Sequence, residues 1–215
     1  MWHPDLYSNM NFPAPVSVLG FLATAGALAL SILAIVVAYF VRKPRIARFL
    51  VKGAAAGVMV YGGLLLAFSW ASHDHVLTPG QEKYFCEIDC HLAYSVLSVK
   101  TELTGPAKTY SVTLRTRFDE TTISPHRPKD APLTPNPRTV ALLDAHGSRW
   151  PLTASSGIPL TTPLKPGDVY LTELQFQAPA DATGLRLLIT SNAWPEHLLI
   201  GDEQSPFHGK TWFAL

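Results

Sequence analysis

The sequence lacks the short motifs by which many catalytic sites are recognised. It contains no Gly-x-Ser-x-Gly, no His-Glu-x-x-His, no phosphate-binding glycine loop and no Cys-x-x-Cys-His for covalent haem attachment. Serine, histidine and aspartate occur, but their spacing singles out no catalytic triad. These absences predict a protein that is not an enzyme.

Ionisable side chains are missing from two long stretches near the N-terminus. Residues 16–41 and 53–71 contain no Asp, Glu, Lys, Arg or His. A helix needs about 20 apolar residues to cross a bilayer, so each stretch predicts a membrane span. Spans without ionisable groups exclude a proton relay, an ion path and a transporter site. The first stretch is not a cleaved signal peptide, because it is too long, follows no basic segment and is succeeded at once by a second span.

Positive charge is concentrated between these stretches. Residues 42–52 contain no acid and five basic side chains, namely Arg42, Lys43, Arg45, Arg48 and Lys52. Because basic loops stay in the cytoplasm, the pattern predicts a transmembrane hairpin with a cytoplasmic turn at 42–48. Its two spans are expected at about 16–41 and 49–71.

This orientation places the rest of the chain on the opposite side of the membrane. An N-terminal arm (1–15), a linker (72–83) and a C-terminal domain (84–215) would all lie in the periplasm, next to the inner membrane of a bacterium. The lipid bilayer and other integral membrane subunits are the expected partners. No basic stripe with interleaved aromatic residues occurs, which excludes nucleic acid.

Small residues mark a packing face on the second span. Gly53 and Gly57 form a small-xxx-small pair, which lets two membrane helices approach closely. Two interpretations remain open at this point. The two spans pack on each other through this face, or the face docks on a larger membrane complex.

After residue 72 the apolar pattern changes from helical to alternating. Residues 110–118 place apolar side chains at every second position, as in a half-buried strand. Further strands are expected at about 84–103 (one kinked strand or two), 139–144, 149–152, 168–177, 185–191, 198–200 and 211–215. Seven or eight short strands punctuated by turns predict an antiparallel β-sandwich. Residues 124–137 carry five prolines and predict an extended loop, either a contact surface or a tolerated insertion.

Three short segments of this domain carry a family resemblance. They are Leu143-Asp-Ala-His-Gly-Ser-Arg-Trp150, Pro163-Leu-Lys-Pro-Gly167 and Leu174-Gln-Phe-Gln-Ala-Pro179. Over residues 84–215 the domain resembles the immunoglobulin-like sandwich domains of unknown function found in bacterial membrane-anchored proteins. The resemblance implies a fold and an extracytoplasmic location. The expected fold class is therefore a two-helix transmembrane hairpin followed by an all-β, immunoglobulin-like antiparallel sandwich.

The overall layout is also similar to cytochrome oxidase subunit II, which has an outward N-terminus, a two-helix hairpin and an outward β domain. That family holds its dinuclear copper near the end of the domain, with Cys-x-x-x-Cys followed by His and Met. Here Cys86 and Cys90 have the cysteine spacing, but they lie at the start of the domain. No methionine follows Met59. The copper site of that family therefore does not transfer.

Cys86 and Cys90, with the adjacent His91, are the candidate site. In an oxidising compartment two cysteines predict a disulfide, provided that the chain turns between them. Thiolate and imidazole are also natural ligands of copper and zinc. A structural disulfide, free thiols and a metal site at Cys86, Cys90 and His91 remain alternatives. His73, His75, Asp202, Glu203 and His208 are the further candidate ligands in the sequence.

Two functional hypotheses follow. The first is a non-enzymatic, membrane-anchored accessory subunit without a cofactor, which packs its sandwich onto a larger membrane complex. A respiratory or photosynthetic electron-transfer assembly is the host suggested by topological analogy. The alternative is a periplasmic copper- or zinc-binding or redox protein that uses Cys86, Cys90 and His91.

Overall fold

The structure is a computed structural model that describes residues 7–86, 90–123, 127–191 and 193–215. It begins with two long helices, α1 (Ala14–Phe40) and α2 (Pro44–Ala71). Both are long and apolar enough to cross a membrane, judged by length and composition. The helices are antiparallel neighbours joined by a turn of three residues, 41–43.

The turn is shorter than predicted. Helix α2 begins at Pro44, so Arg45 and Arg48 belong to the helix and not to a turn at 42–48. A proline is well suited to the first helical turn, because its φ is already helical and its missing N–H has no partner there. Arg42 turns the chain with a positive φ of 54°.

Helix α1 is covered along one stripe, at its start by the arm and the sandwich and beyond that by α2. Its covered positions alternate in spacing of three and four residues, as in helix pairs that cross at a shallow angle: Ala14, Ser17, Phe21, Thr24, Leu28, Ser31, Ile35 and Ala38. On α2 the best covered positions are Ala47, Leu65 and Ser69. Gly53 and Gly57 are exposed, and a Cβ built on either one meets nothing within 4 Å. The first interpretation of this pair, packing on the chain's own other helix, is therefore wrong.

Nine strands follow the helices. They are β1 (His75–Leu77), β2 (Lys83–Phe85), β3 (Leu92–Thr104), β4 (Ala107–Phe118), β5 (Arg138–Leu143), β6 (Arg149–Gly157), β7 (Val169–Pro179), β8 (Arg186–Ser191) and β9 (Thr211–Ala214). Their order in the sheet is β1-β9-β8-β5-β6-β7-β4-β3-β2. All pairs are antiparallel except β1–β9, which is parallel.

This order confirms the predicted immunoglobulin-like sandwich. A constant-type immunoglobulin domain has strands A-B-E-D in one sheet and C-F-G in the other. Here β3-β4-β7-β6 and β5-β8-β9 reproduce those two orders. Strand β6 pairs with β5 through its first residues and with β7 through its later ones, so it joins the two layers along one side.

Two strand predictions need correction. Residues 198–200 are not a strand; a 3-10 helix occupies Trp194–Leu198 and a turn follows it. The linker predicted at 72–83 contains β1, which pairs with β9 and buries Leu77 in the core. Three residues are too few to show the alternation from which the longer strands were predicted.

The core lies between the two layers and draws on both. Val112 and Leu114 of β4 and Leu174 and Phe176 of β7 meet Leu142, Leu187 and Phe213 of the other layer. The described part of the proline-rich loop is anchored by a two-way backbone pair between Leu133 and Leu164. Because β4 ends and β5 begins at the end of the sandwich that faces the helices, this loop lies at that end.

Candidate functional site

The two cysteines form a disulfide at the base of the sandwich. Cys86 and Cys90 are bonded, with their Cα atoms 4.1 Å apart. Both pack in a small buried cluster with Met10 of the N-terminal arm and Ala14, the first residue of α1. The disulfide, which links residues four positions apart, therefore packs where the chain passes from the arm into the first helix.

His91 adjoins the disulfide in sequence but faces other partners. Its ring is buried, with Nδ1 2.6 Å from the hydroxyl of Thr122. It stacks on Phe118 with the ring centroids 5.5 Å apart. These contacts place the imidazole against β4 and the turn after it.

The copper or zinc site expected at Cys86, Cys90 and His91 is not supported. A metal is bound by thiolates, and here both sulfur atoms are in the disulfide. Across the described residues, no three or more His, Cys, Asp or Glu side chains are grouped so that they could hold a metal ion. His73 and His75 lie on exposed backbone near α2, and the Nδ1 atom of His208 contacts the carbonyl of Gly209.

Asn9 of the N-terminal arm ties the disulfide region to the C-terminal part of the chain. Its Oδ1 accepts the backbone N–H of Cys86 at 2.7 Å, and its Nδ2 donates to Asp202 at 3.2 Å. Its backbone N–H and carbonyl bond to Tyr84 and Glu203. One buried asparagine thus holds three chain segments together, and nothing in its local sequence indicated this role.

A fully buried ion pair lies next to Asn9. The ammonium of Lys83 is 2.8 Å from both carboxylate oxygens of Glu203, and both side chains are at most 2% exposed. Lys83 also donates to the carbonyls of Ile189 and Thr211. Burial lowers the pKa of Lys83, while the carboxylate of Glu203 acts against that shift. Breaking such a pair on one side would leave a buried charge, so the pair fixes how these strands meet.

Asp202 is buried beside this pair and, among the residues that the structure describes, forms no salt bridge of its own. Burial raises its pKa well above the ordinary value of 3.8, and the nearby carboxylates of Glu196 and Glu203 add to the shift. The backbone N–H of Gln204 acts in the opposite direction. Asp202 and Glu203 were predicted only as candidate metal ligands; the structure uses them to join the two halves of the molecule.

A second polar cluster lies on the surface of β2 and β4. Arg117 binds both oxygens of Glu82 and one oxygen of Asp119, and the hydroxyl of Tyr84 donates to Asp119 at 2.6 Å. Burial opposes ionisation of Asp119, but hydrogen bonds from Tyr84, Thr121 and Arg117 hold its pKa well below the usual range. Burial and the bond to Asp119 raise the pKa of Tyr84. The charged and hydroxyl groups of this cluster are hydrogen-bonded to one another, which is typical of a cluster that stabilises the fold.

An open cleft lies at the opposite end of the sandwich. It has a volume of about 300 Å³ and is lined by Asp144, His146, Trp150 and Asp181, among others. The carboxylate of Asp144 accepts the backbone N–H groups of His146 and Ser148, so it holds the β5–β6 turn.

No protein-family model and no curated protein matches this chain. Among solved structures, the crystal structure of an uncharacterized beta-sandwich protein from Clostridium difficile 630 is similar, with a TM-score of 0.40 and 8% sequence identity. The match covers 66% of this chain and 94% of that chain. A likeness of this size carries no argument, so the fold assignment rests on the strand order described above.

Proposed function

We propose that this protein is a non-enzymatic accessory subunit of a bacterial inner-membrane complex. Its helical hairpin spans the bilayer with the basic turn in the cytoplasm. Its sandwich stands in the periplasm and packs on the outer face of the complex. A respiratory or photosynthetic electron-transfer assembly is the host that the topology suggests.

The observation that carries this proposal is the uncovered face of α2. Gly53 and Gly57 are exposed, and a Cβ built on either meets nothing within 4 Å. Ala56, Gly63 and Ala67 are exposed on the same helix. Such smooth faces are typical of contacts between membrane helices, where close approach replaces the missing hydrophobic drive. Since α1 does not use this face, a helix of another subunit is its proposed occupant.

Two further features support the proposal. The arm and the hairpin are joined to the sandwich by buried hydrogen bonds, and the Cys86–Cys90 disulfide packs at this junction, so a partner bound to one part fixes the position of the other. Disulfides persist in oxidising compartments, which agrees with a periplasmic location. The polar clusters of the described residues bond internally, which suits a structural part better than a catalytic one.

The test is the size of the native complex. Membranes solubilised in a mild detergent should release the protein in a particle whose protein mass, without the bound detergent, is much larger than 23.5 kDa. Gly53→Leu combined with Gly57→Leu should release it from that particle, because the bulk falls on the docking face. The hairpin should remain folded, since a Cβ built at either position meets nothing within 4 Å beyond the neighbouring residues and the backbone of its own helix.

Gly26→Leu is the matched control. Gly26 is an exposed glycine on α1 with equally open surroundings. This variant should migrate with the complex like the wild type. A wild-type protein that migrates alone would refute the proposal, and so would equal release by the control and by the Gly53 and Gly57 variant.

A further inference from the structure

One loop of the sandwich reaches far down the side of the hairpin. We call residues 193–205 the cover loop; it begins with the 3-10 helix Trp194–Leu198. The hydroxyl of Tyr61, on α2, donates to the carbonyl of Leu198 at 2.7 Å. The hydroxyl of Ser17, on α1, donates to the carbonyl of Ile200 at 2.8 Å. Both helices therefore fix the height of the loop.

Counting from the basic turn gives that height. Tyr61 lies seventeen residues beyond Pro44, where α2 begins, which is about 26 Å at 1.5 Å per residue. The hydrocarbon core of a bilayer is about 30 Å thick. Because the basic side chains of the turn cannot be drawn into that core, Leu198 cannot lie far above its outer boundary. Any shift of the chain toward the cytoplasm would place the loop deeper.

Several backbone carbonyls of the cover loop accept hydrogen bonds from within the protein, as is required of a segment that water cannot reach. Four consecutive carbonyls, those of residues 198–201, each have a donor: Tyr61 Oη, Ser205 Oγ, Ser17 Oγ and the N–H of Asn11, respectively. Three of the four donors come from the hairpin or the arm. Irregular backbone at membrane depth requires internal partners, whereas in water these carbonyls would need none.

The outer side of the loop carries two large apolar side chains, and the exposed His197 lies between them in sequence. Trp194 is 70% exposed and Leu198 is 36% exposed. Tryptophan is enriched at membrane interfaces, because its ring is largely apolar and its N–H can reach the headgroups. Trp194 lies four residues before Leu198 in one 3-10 helix, so its Cα is within about 8 Å of the height of Leu198. Its exposed ring can therefore reach lipid if the hairpin spans the bilayer.

We propose that the cover loop inserts Trp194 and Leu198 into the outer leaflet of the bilayer, at the boundary between acyl chains and headgroups. This inference rests on the membrane anchoring in the proposed function, but it requires no partner subunit. It makes the sandwich a domain seated on the lipid surface beside its own anchor, with its base fixed in depth.

The experiment places nitroxide labels on the full chain in phospholipid nanodiscs. Trp194→Cys reports on the cover loop. Leu103→Cys is the matched control, because Leu103 is 71% exposed and lies at the far end of β3. Leu30→Cys reports on the hairpin, where Leu30 is 69% exposed on α1. For each label, collisions with oxygen, which concentrates in lipid, are compared with collisions with a water-soluble nickel chelate.

The label at position 194 should give an oxygen-to-nickel ratio several-fold above that at position 103 and below that at position 30. A ratio at 194 equal to that at 103, with position 30 in lipid, would overturn the inference and leave the anchoring intact. Nickel access at position 30 would overturn the anchoring itself. A label at 194 shielded from both reagents would indicate a protein cover, and would also overturn the inference.

A second measurement avoids the new cysteine. Tryptophan fluorescence is measured in nanodiscs with and without lipids brominated near the headgroup. The intensity lost on bromination should be greater for the wild type than for Trp194→Phe. Equal quenching of the two proteins would contradict insertion of Trp194. Because purified protein is used, the result is independent of whether a larger complex exists.

Discussion

The sandwich buries its large apolar side chains, whereas the hairpin exposes many of its own. In the sandwich, Leu114 and Phe176 are completely buried. In the hairpin, Leu30 is 69% and Met59 is 70% exposed within the described chain. The sandwich supplies its own apolar interior, whereas the hairpin exposes most of its apolar side chains. The comparison teaches that the exposed apolar surface follows from the nearly uniform composition of the helices, whereas alternation along each strand separates a buried side from an exposed one.

The region between the two is different again. There, polar and charged side chains are buried and bonded to one another, as with Asn9, Lys83 and Glu203. Apolar burial alone is not directional, whereas buried hydrogen bonds and ion pairs are satisfied in one arrangement only. The junction therefore fixes how the two apolar parts are oriented.

One pair of variants tests whether the sandwich core and the hairpin surface contribute differently to stability. Phe176→Ala should lower the free energy of unfolding of the sandwich by about 3–5 kcal/mol, because it leaves a cavity in a packed core. Leu30→Ala should change it by less than about 0.5 kcal/mol, because Leu30 touches none of that core. Urea unfolding of the detergent-solubilised protein, followed by near-UV circular dichroism, measures both. Equal effects would contradict the division.

Removal of the disulfide tests the junction between the sandwich and the hairpin. Replacing Cys86 and Cys90 by serine should lower the stability of the sandwich by about 2 kcal/mol, the chain-entropy value for so short a loop. The helix content should not change. Reduction of the wild type should reproduce the loss in urea unfolding.

The same variant tests the rival metal hypothesis. Elemental analysis should find no difference in copper or zinc between the purified wild type and the double serine variant. Stoichiometric metal in the wild type that is lost with the cysteines would restore the copper- or zinc-binding function.

The smallest expected effect is a difference in pH dependence. The pKa of Asp202 is raised in the folded state, so its contribution to stability is complete below 3.8 and is lost as the pH rises through the folded pKa. The pKa of Asp119 is lowered, so its contribution is present above 3.8 and is lost as the pH falls. Above about pH 5 an aspartate is ionised in the unfolded state. In that range stability therefore still varies with the titration of Asp202 but no longer with that of Asp119.

Asp202→Asn removes this titration. Across the range above that pH, the wild type should lose stability relative to the variant as the pH rises. Urea midpoints at successive pH values give the slope, and Asp181→Asn, at an exposed aspartate, is the control. Parallel curves for the wild type and Asp202→Asn would contradict the role assigned to the burial of Asp202.

Much of the fold followed from local patterns. The alternation at residues 110–118 predicted the strand that became β4, and the strands predicted at 139–144 and 149–152 became β5 and β6. The final strand was placed correctly, with Trp212 and Phe213 buried. Local patterns suffice here, because each strand shows on its own which side chains face the core.

The candidate site was less predictable. Cys86 and Cys90 were identified as a pair, but the spacing could not decide between disulfide and metal. Lys83 was placed at the end of a linker, and a single lysine beside a short apolar segment gives no sign that it will be buried in a strand. Gly53 and Gly57 were recognised as a close-packing face, yet nothing in their motif tells which helix will use it.

The sequence by itself determined where the chain is apolar all round, where it alternates and where positive charge interrupts it. These are properties of neighbouring residues, so they fixed the helical hairpin and the sandwich. Only the tertiary structure decided that Lys83 meets Glu203 across 120 positions, that Asn9 reaches Asp202, and that the cover loop lies against Tyr61. Such pairs depend on how two sheets and two helices pack together, and this packing produces no periodic pattern in the sequence.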